Sequence, residues 1–180
     1  MNHAIILAAG KGERLYSKED KMLVMAGGKP LIYYSLAAFS DHPEISTVTV
    51  VANKANKSEI EKLTKNYLLP KVKKIVLGAA TRQLSLEKGL DAISKIAKNE
   101  DLILVHNGAN PLVSNEEISR TIEQAAEHGA CIVGHFLHST IKEVDKNQII
   151  KTHDRQKMFA AETPQTIRYE LLKKALENAG

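Results

Sequence analysis

With 180 residues, 43% of them hydrophobic and 26% charged, the chain is long enough to bury one continuous core and short enough to favour a single domain over residues 1–180. Its 25 Lys and Arg are interspersed with 21 Asp and Glu for a net charge of +4, which gives no sign of a nucleic-acid surface and suits an anionic small molecule. One cysteine excludes an internal disulfide framework and a cysteine-based zinc site, and 4% aromatics without tryptophan make a poor stacking platform.

The first predicted strand is His3–Leu7. The apolar run around it, Ala4 to Ala9, is too short to span a bilayer and lacks the cationic flank of a signal peptide, so a soluble, cytoplasmic chain without membrane contact is expected. Next comes a helix at Pro30–Phe39, where proline suits the first turn because the amide it lacks would be orphaned there. Strands at Thr47–Ala52, Lys73–Leu77, Leu102–His106 and Ala130–Phe136 alternate with helices at Lys57–Tyr67, Arg82–Ala97 and Asn115–His128. Each strand is a nearly unbroken apolar run, as expected of strands buried on both faces. Ser114 and Glu117 form a capping box for the helix that follows them. The alternation predicts an α/β chain with three layers, α/β/α, around a mostly parallel central sheet. After Phe136 two short β-like pieces flank the polar Asp145-Lys146-Asn147, predicting a short projecting β-arm over about 137–153, or else an antiparallel edge. Tyr169–Asn178 reads as a closing amphipathic helix. Cys131, Met22 and Met25 read as small or flexible core fillers, and His106 as a satisfied strand-end histidine.

The strongest local signal follows the first strand: Leu7-Ala8-Ala9-Gly10-Lys11-Gly12-Glu13-Arg14. Small residues and two glycines let backbone amides approach an anion, and Lys11 and Arg14 add positive charge inside the turn. It is neither a Walker A loop nor a GxGxxG fingerprint. Lys21 follows at the end of the polar stretch Tyr16–Lys21.

Ala-Ala-Gly-x-Gly-x-Arg with a lysine eleven residues after the first glycine resembles the loop of glycosyltransferase-A-like nucleotidyltransferases. Three further segments resemble one family among them, the 2-C-methyl-D-erythritol 4-phosphate cytidylyltransferases. They are Gly78-Ala79-Ala80-Thr81-Arg82-Gln83-Leu84-Ser85, Val105-His106-Asn107-Gly108-Ala109-Asn110-Pro111, and the series Ser139-Thr140-Ile141-Lys142, Arg155 and Thr163-Pro164-Gln165. The resemblance runs from the first strand to the last helix. It implies a cytidylyltransferase that joins CTP to a polyol phosphate, in isoprenoid precursor synthesis, and releases pyrophosphate. A ribitol-5-phosphate cytidylyltransferase is similar in the same motifs. By the same resemblance, Arg14 and Lys21 are catalytic, and Ala8, Ala9, Gly10, Gly12, Gly78, Ala79, Arg82, Ser85, Asn107 and Gly108 bind the nucleotide. Thr140, Arg155 and Thr163 bind the acceptor, a divalent cation such as Mg²⁺ is held at position 107, and the arm packs against a partner in a homodimer.

The chain also departs from the family pattern. Asn107 stands where the family has the aspartate that holds the metal, Asn110 where it has arginine, Ser139 where it has aspartate, and Asp20 where it has proline. Family members usually continue for several dozen residues past the position of Gly180, with another strand and a lysine near the nucleotide. An amide gives a hard cation less than a carboxylate does, so weakened metal binding at Asn107 is expected. These departures support an alternative, a nucleotide-binding homologue with weakened or lost catalysis.

Overall fold

A computed structural model of the chain describes residues 1–10 and 20–179. Among them, strands β1 (Asn2–Ala8), β4 (Thr47–Ala52), β5 (Val72–Leu77), β6 (Leu102–Asn107), β7 (Ala130–Phe136) and β10 (Phe159–Arg168) form one sheet in the order β5-β4-β1-β6-β10-β7. β5, β4, β1 and β6 pair in parallel, and β10 runs antiparallel to both its neighbours. Five α-helices among the described residues cover the sheet: α1 (Leu31–Asp41), α2 (Lys57–Asn66), α3 (Arg82–Ile93), α4 (Asn115–His128) and α5 (Tyr169–Glu177). Two small hairpins complete the order, β2 (Met25–Ala26) with β3 (Lys29–Pro30), and β8 (Ile141–Asp145) with β9 (Gln148–His153).

Because side chains alternate along a strand, β1 feeds two cores. Ala4, Ile6 and Ala8 pack with Ile32, Leu36 and Phe39 of α1, Ile60 and Leu63 of α2, and Ile118 and Ile122 of α4. Ile5 and Leu7 face the other way, onto Leu90 and Ile93 of α3 and Tyr169 and Leu172 of α5. The result is the expected three-layer arrangement. On the second face α3 approaches the sheet closely at Gly89, where a Cβ would stand 2.7 Å from Ile5 Cγ2 and 3.0 Å from Val51 Cγ2, so only glycine fits this crossing. α4 opens with the capping box, Glu117 N–H donating to Ser114 Oγ at 3.1 Å and Ser114 N–H to Glu117 Oε2 at 2.8 Å. It closes at Gly129 with φ of 88°, a left-handed position that favours glycine.

Several expectations change. β5 and β7 are the edges of the sheet, so they are not buried on both faces: Lys73, Lys74 and Leu77 are exposed on one edge, Ile132, His135 and Phe136 on the other. Lysines on an edge strand also discourage pairing with another sheet. α3 ends at Ile93 instead of Ala97, where the Ser94 hydroxyl donates to the Asp91 carbonyl at 2.8 Å and the chain tightens into turns. Met22 is buried in the first core, whereas Met25 lies on the β2–β3 hairpin and is 62% exposed, so it fills no core. Cys131 is partly buried against the first core. The arm is a separate two-stranded ribbon whose turn residues, Lys146 and Asn147, have φ of 45° and 66°. Both positive values suit the tight hairpin turn that matches strand twist. Among the described residues no helix is long and apolar enough to cross a membrane.

Candidate nucleotide site

The strand order places the site. From β1 the chain steps to β4 and β5 on one side, then returns to β6 on the other, so the loops leaving the carboxyl ends of β1 and β6 diverge. A crevice at such a reversal is where open α/β sheets hold ligands. Four segments with predicted site residues meet there. Ala8 ends β1 and leads to Ala9 and Gly10; Gly78 and Ala79 follow β5; Arg82 and Ser85 open α3; Asn107 ends β6 and leads to Gly108. Gly12, Arg14 and Lys11 lie outside the described residues.

Contacts join these segments directly. A Cβ on Gly78 would stand 2.6 Å from Ala9 Cβ and 2.8 Å from Ser85 Oγ, so glycine there lets the β5 loop close against the β1 loop. Ser85 is buried, and its hydroxyl accepts from Ala79 N–H at 3.0 Å, which holds that loop to the first turn of α3. Thr81 caps the helix, its hydroxyl accepting from Leu84 N–H at 3.2 Å. Arg82 reaches across the crevice, and its Nη1 donates to Asn107 Oδ1 at 2.6 Å. Gly108 N–H continues the ladder to the Leu7 carbonyl at 2.9 Å.

Lys21 is placed by residues that sequence reasoning did not single out as a network. Asp20 opens a turn in which Leu23 N–H donates to the Asp20 carbonyl and Met22 N–H to Asp20 Oδ1, both at 2.9 Å. Aspartate is well suited to the first position of such a turn, and it serves here where the family pattern has proline. Its other oxygen, Oδ2, accepts from Asn53 Nδ2 at 3.0 Å and Asn56 Nδ2 at 2.9 Å. Asn56 is fully buried and also donates from Nδ2 to the Ala8 carbonyl at 2.9 Å. Asn56 therefore ties the start of the β1 loop to the turn that carries Lys21.

On the β6 side, His106 is buried with its Nε2 at 3.0 Å from the Asn110 carbonyl, so Nε2 bears the proton. Its Nδ1 then accepts from the Thr163 hydroxyl at 2.9 Å. Thr163 Oγ1 in turn accepts from Asn107 N–H at 3.4 Å and Asn110 Nδ2 at 3.3 Å. Burial pushes the His106 pKa down to about 4, which keeps the ring neutral as this network requires. Thr163, expected at the acceptor, is buried and directed into the β6 loop, where it positions Asn107 and Asn110.

Thr140 and Arg155 lie apart, at the base of the arm, and both are exposed. Arg155 Nη1 donates to the His138 carbonyl at 2.6 Å and, with Phe136, Leu137 and Gln156, lines a cavity of about 440 Å³. Among the described residues no hydrogen bond joins Thr140 or Arg155 to the crevice.

The donor set does not fit a divalent cation resident at Asn107. Its amide oxygen is neutral and already accepts from the Arg82 guanidinium, and both oxygens of Asp20 are bonded to amide N–H groups. Among the described residues no group of three or more His, Cys, Asp and Glu could hold a metal ion. Hard cations favour several anionic oxygens, which these residues do not offer.

Comparison with known proteins gives a consistent result. The profile of the family described as "IspD: 2-C-methyl-D-erythritol 4-phosphate cytidylyltransferase" matches residues 2–180. The 2-C-methyl-D-erythritol 4-phosphate cytidylyltransferase of Alkaliphilus metalliredigens is 36% identical over 177 residues, 97% of this chain and 72% of that protein. The enzyme of the same name from Clostridium tetani is 38% identical over 172 residues, 95% of this chain and 68% of that protein. Among solved structures, the 4-diphosphocytidyl-2C-methyl-D-erythritol synthase of Anaerococcus prevotii superposes with a TM-score of 0.80 at 26% identity, covering 99% of this chain and 75% of that one. The 2-C-methyl-D-erythritol 4-phosphate cytidylyltransferase of Francisella tularensis does so with a TM-score of 0.79 at 29% identity, covering 99% and 77%.

Proposed function

The chain belongs to the 2-C-methyl-D-erythritol 4-phosphate cytidylyltransferase family, and from that membership we propose that it transfers a cytidylyl group from CTP to 2-C-methyl-D-erythritol 4-phosphate. A phosphate oxygen of the acceptor attacks the α-phosphorus, a new P–O bond forms, and the bond to the β-phosphate breaks to release pyrophosphate. No covalent enzyme intermediate is needed, so the work of the protein is to position two anions and stabilise the charge that spreads over the phosphate oxygens. The observation that carries this reading is the meeting of the β1, β5 and β6 loops at the reversal of strand order, with Arg82 spanning it and the Lys21 turn tied to Ala8. The Ala8–Gly10 segment begins the phosphate cradle, Gly78 and Ala79 with Ser85 face the nucleoside, and Lys21 with Arg14 serves the α-phosphate.

The acceptor falls to the arm. Arg155 spends one N–H on His138 and keeps the rest of its fork for a phosphate, for which a guanidinium is well shaped. Thr140 stands at the other foot of the ribbon, just before β8, where Ile141 pairs with His153 of β9. Val144, Ile149 and Ile150 on the ribbon are 57%, 64% and 58% exposed, more apolar surface than an isolated ribbon favours in water. This surface supports a homodimer in which the arm docks on a second copy and brings Arg155 toward its crevice. The chain is expected to run as a dimer in light scattering, and a monomer at high protein concentration would overturn the arm contact. The single cysteine supports work in a reducing compartment such as the cytoplasm.

Pyrophosphate release from CTP tests the function directly. Release is expected with 2-C-methyl-D-erythritol 4-phosphate and is expected to exceed that with ribitol 5-phosphate. The reverse preference would reassign the acceptor. CTP binding without release for either acceptor would show that the chain is a nucleotide-binding homologue.

A further inference from the structure

Arg82 opens α3, which follows β5, and Asn107 ends β6, on opposite sides of β1, yet their side chains meet. Neither partner is loosely held. Asn107 N–H donates to Thr163, which is itself bonded to buried His106. Arg82 sits in the first turn of α3, fixed by the Thr81 cap and by Ser85 N–H donating to the Thr81 carbonyl at 3.0 Å. A guanidinium therefore stands at the tip of β6, on the side chain to which the family pattern would assign a metal ion. Next to it the Asn107 amide offers no negative charge to draw a cation in, while the guanidinium repels one.

We propose that Arg82, held by Asn107, provides the positive charge that faces the nucleotide phosphates in this chain, so that CTP binds here without requiring Mg²⁺. The proposal rests on the reading of the crevice as a CTP site. Arginine fits the role because its charge is permanent and its planar fork matches phosphate oxygens. Partial desolvation lowers the Arg82 pKa, but a guanidinium remains protonated throughout the working range. The Arg82–Asn107 bond pre-orients that fork, so less rotamer freedom is lost when the nucleotide arrives. A carboxylate at position 107 would change the balance, adding a negative charge that pairs with Arg82 or recruits a cation.

The test is CTP binding by calorimetry at matched ionic strength, in MgCl₂ and in EDTA, for the unaltered protein and for the Arg82→Gln and Asn107→Asp variants. The unaltered protein is expected to bind CTP within about threefold in the two buffers. Arg82→Gln is expected to weaken CTP binding in EDTA by about tenfold or more, which is the loss expected for a charge-assisted phosphate contact. Asn107→Asp is expected to bind CTP about tenfold more weakly in EDTA than in MgCl₂, because the new carboxylate needs a cation to offset it. A loss of tenfold or more in EDTA for the unaltered protein would overturn the proposal without any recourse to variants. It would leave the cytidylyltransferase reading intact. Failure to bind CTP in either buffer would overturn that reading and this proposal together.

Discussion

Lys21→Ala is expected to lower CTP turnover by about two to three orders of magnitude, the loss seen when one preorganised charge donor is removed from a transferring centre. The effect is large because the lysine is presented by a fixed turn. Met22, the next residue, is buried in the first core and close to Gly108, with Sδ 3.2 Å from where a Cβ there would stand. Asp20, the preceding residue, is pinned by Asn53 and by Asn56, which also holds Ala8. The backbone of Lys21 is thus set relative to the end of β1 before any ligand arrives, and in the proposed mechanism its ammonium adds charge where the transition state accumulates it. KM for CTP is expected to change less than kcat, since the proposed contacts of the loop amides and Arg82 with the nucleotide are left in place. Lys21 is only half-buried, so the variant should keep its melting temperature. Lys21→Arg is expected to recover part of the rate by restoring the charge but not its compact shape. A folded Lys21→Ala protein with unaltered turnover would remove this residue from the catalytic set.

The strands that build the crevice were legible for a physical reason. β1, β4 and β6 are central and covered on both faces, so their sequences are nearly unbroken apolar runs. β10 was not legible as a strand. Its sequence, Phe159 to Arg168, contains Glu162 and Pro164, and proline argues against an interior strand. The pairing with β7 shifts register between Ala161 and Gln165, around that proline, and the strand still separates β6 from β7. Only tertiary placement could reveal it. The glycines after β1 stood out because small residues with charge inside a turn suit an anion, whereas Arg82 was carried by the resemblance of its segment to the family. Asn53 and Asn56 were missed because asparagines between a strand and a helix read as ordinary turn residues. Their partner Asp20 lies 33 and 36 positions earlier, and only the folded sheet brings them together. The same holds for Thr163, whose motif was visible but whose hydroxyl turns inward to His106.

Acid is expected to destabilise the protein between pH 6.5 and about 4, and His106 sets that window. Its ring is fully buried beside Phe39, with centroids 5.0 Å apart, and its Nε2–H is committed to the Asn110 carbonyl. Protonation would put a second donor on Nδ1, facing Thr163 Oγ1. That oxygen already accepts from Asn107 N–H and Asn110 Nδ2, so three donors would converge on one hydroxyl. Burial is the main cause that lowers the pKa from 6.5 to about 4, against the hydrogen bond to Asn110, which raises it. A folded pKa below the unfolded one means that the unfolded chain binds more protons within this window. The stability from neutral His106 is therefore complete above pH 6.5 and is lost progressively as the pH falls toward 4. The full loss is about 3 kcal/mol at 1.36 kcal/mol per pKa unit. His3, also buried and also shifted down chiefly by desolvation, acts in the same direction. Urea unfolding at pH 7.5 and pH 4.5 measures the sum. A His106→Gln variant is expected to be less stable at pH 7.5 and to show a shallower loss between the two, since its amide cannot titrate. Equal stability of the unaltered protein at both pH values would show that His106 is not held neutral. Because the same ring fixes Thr163 and, through it, Asn107, the affinity for CTP should fall over the same pH interval as the fold loosens.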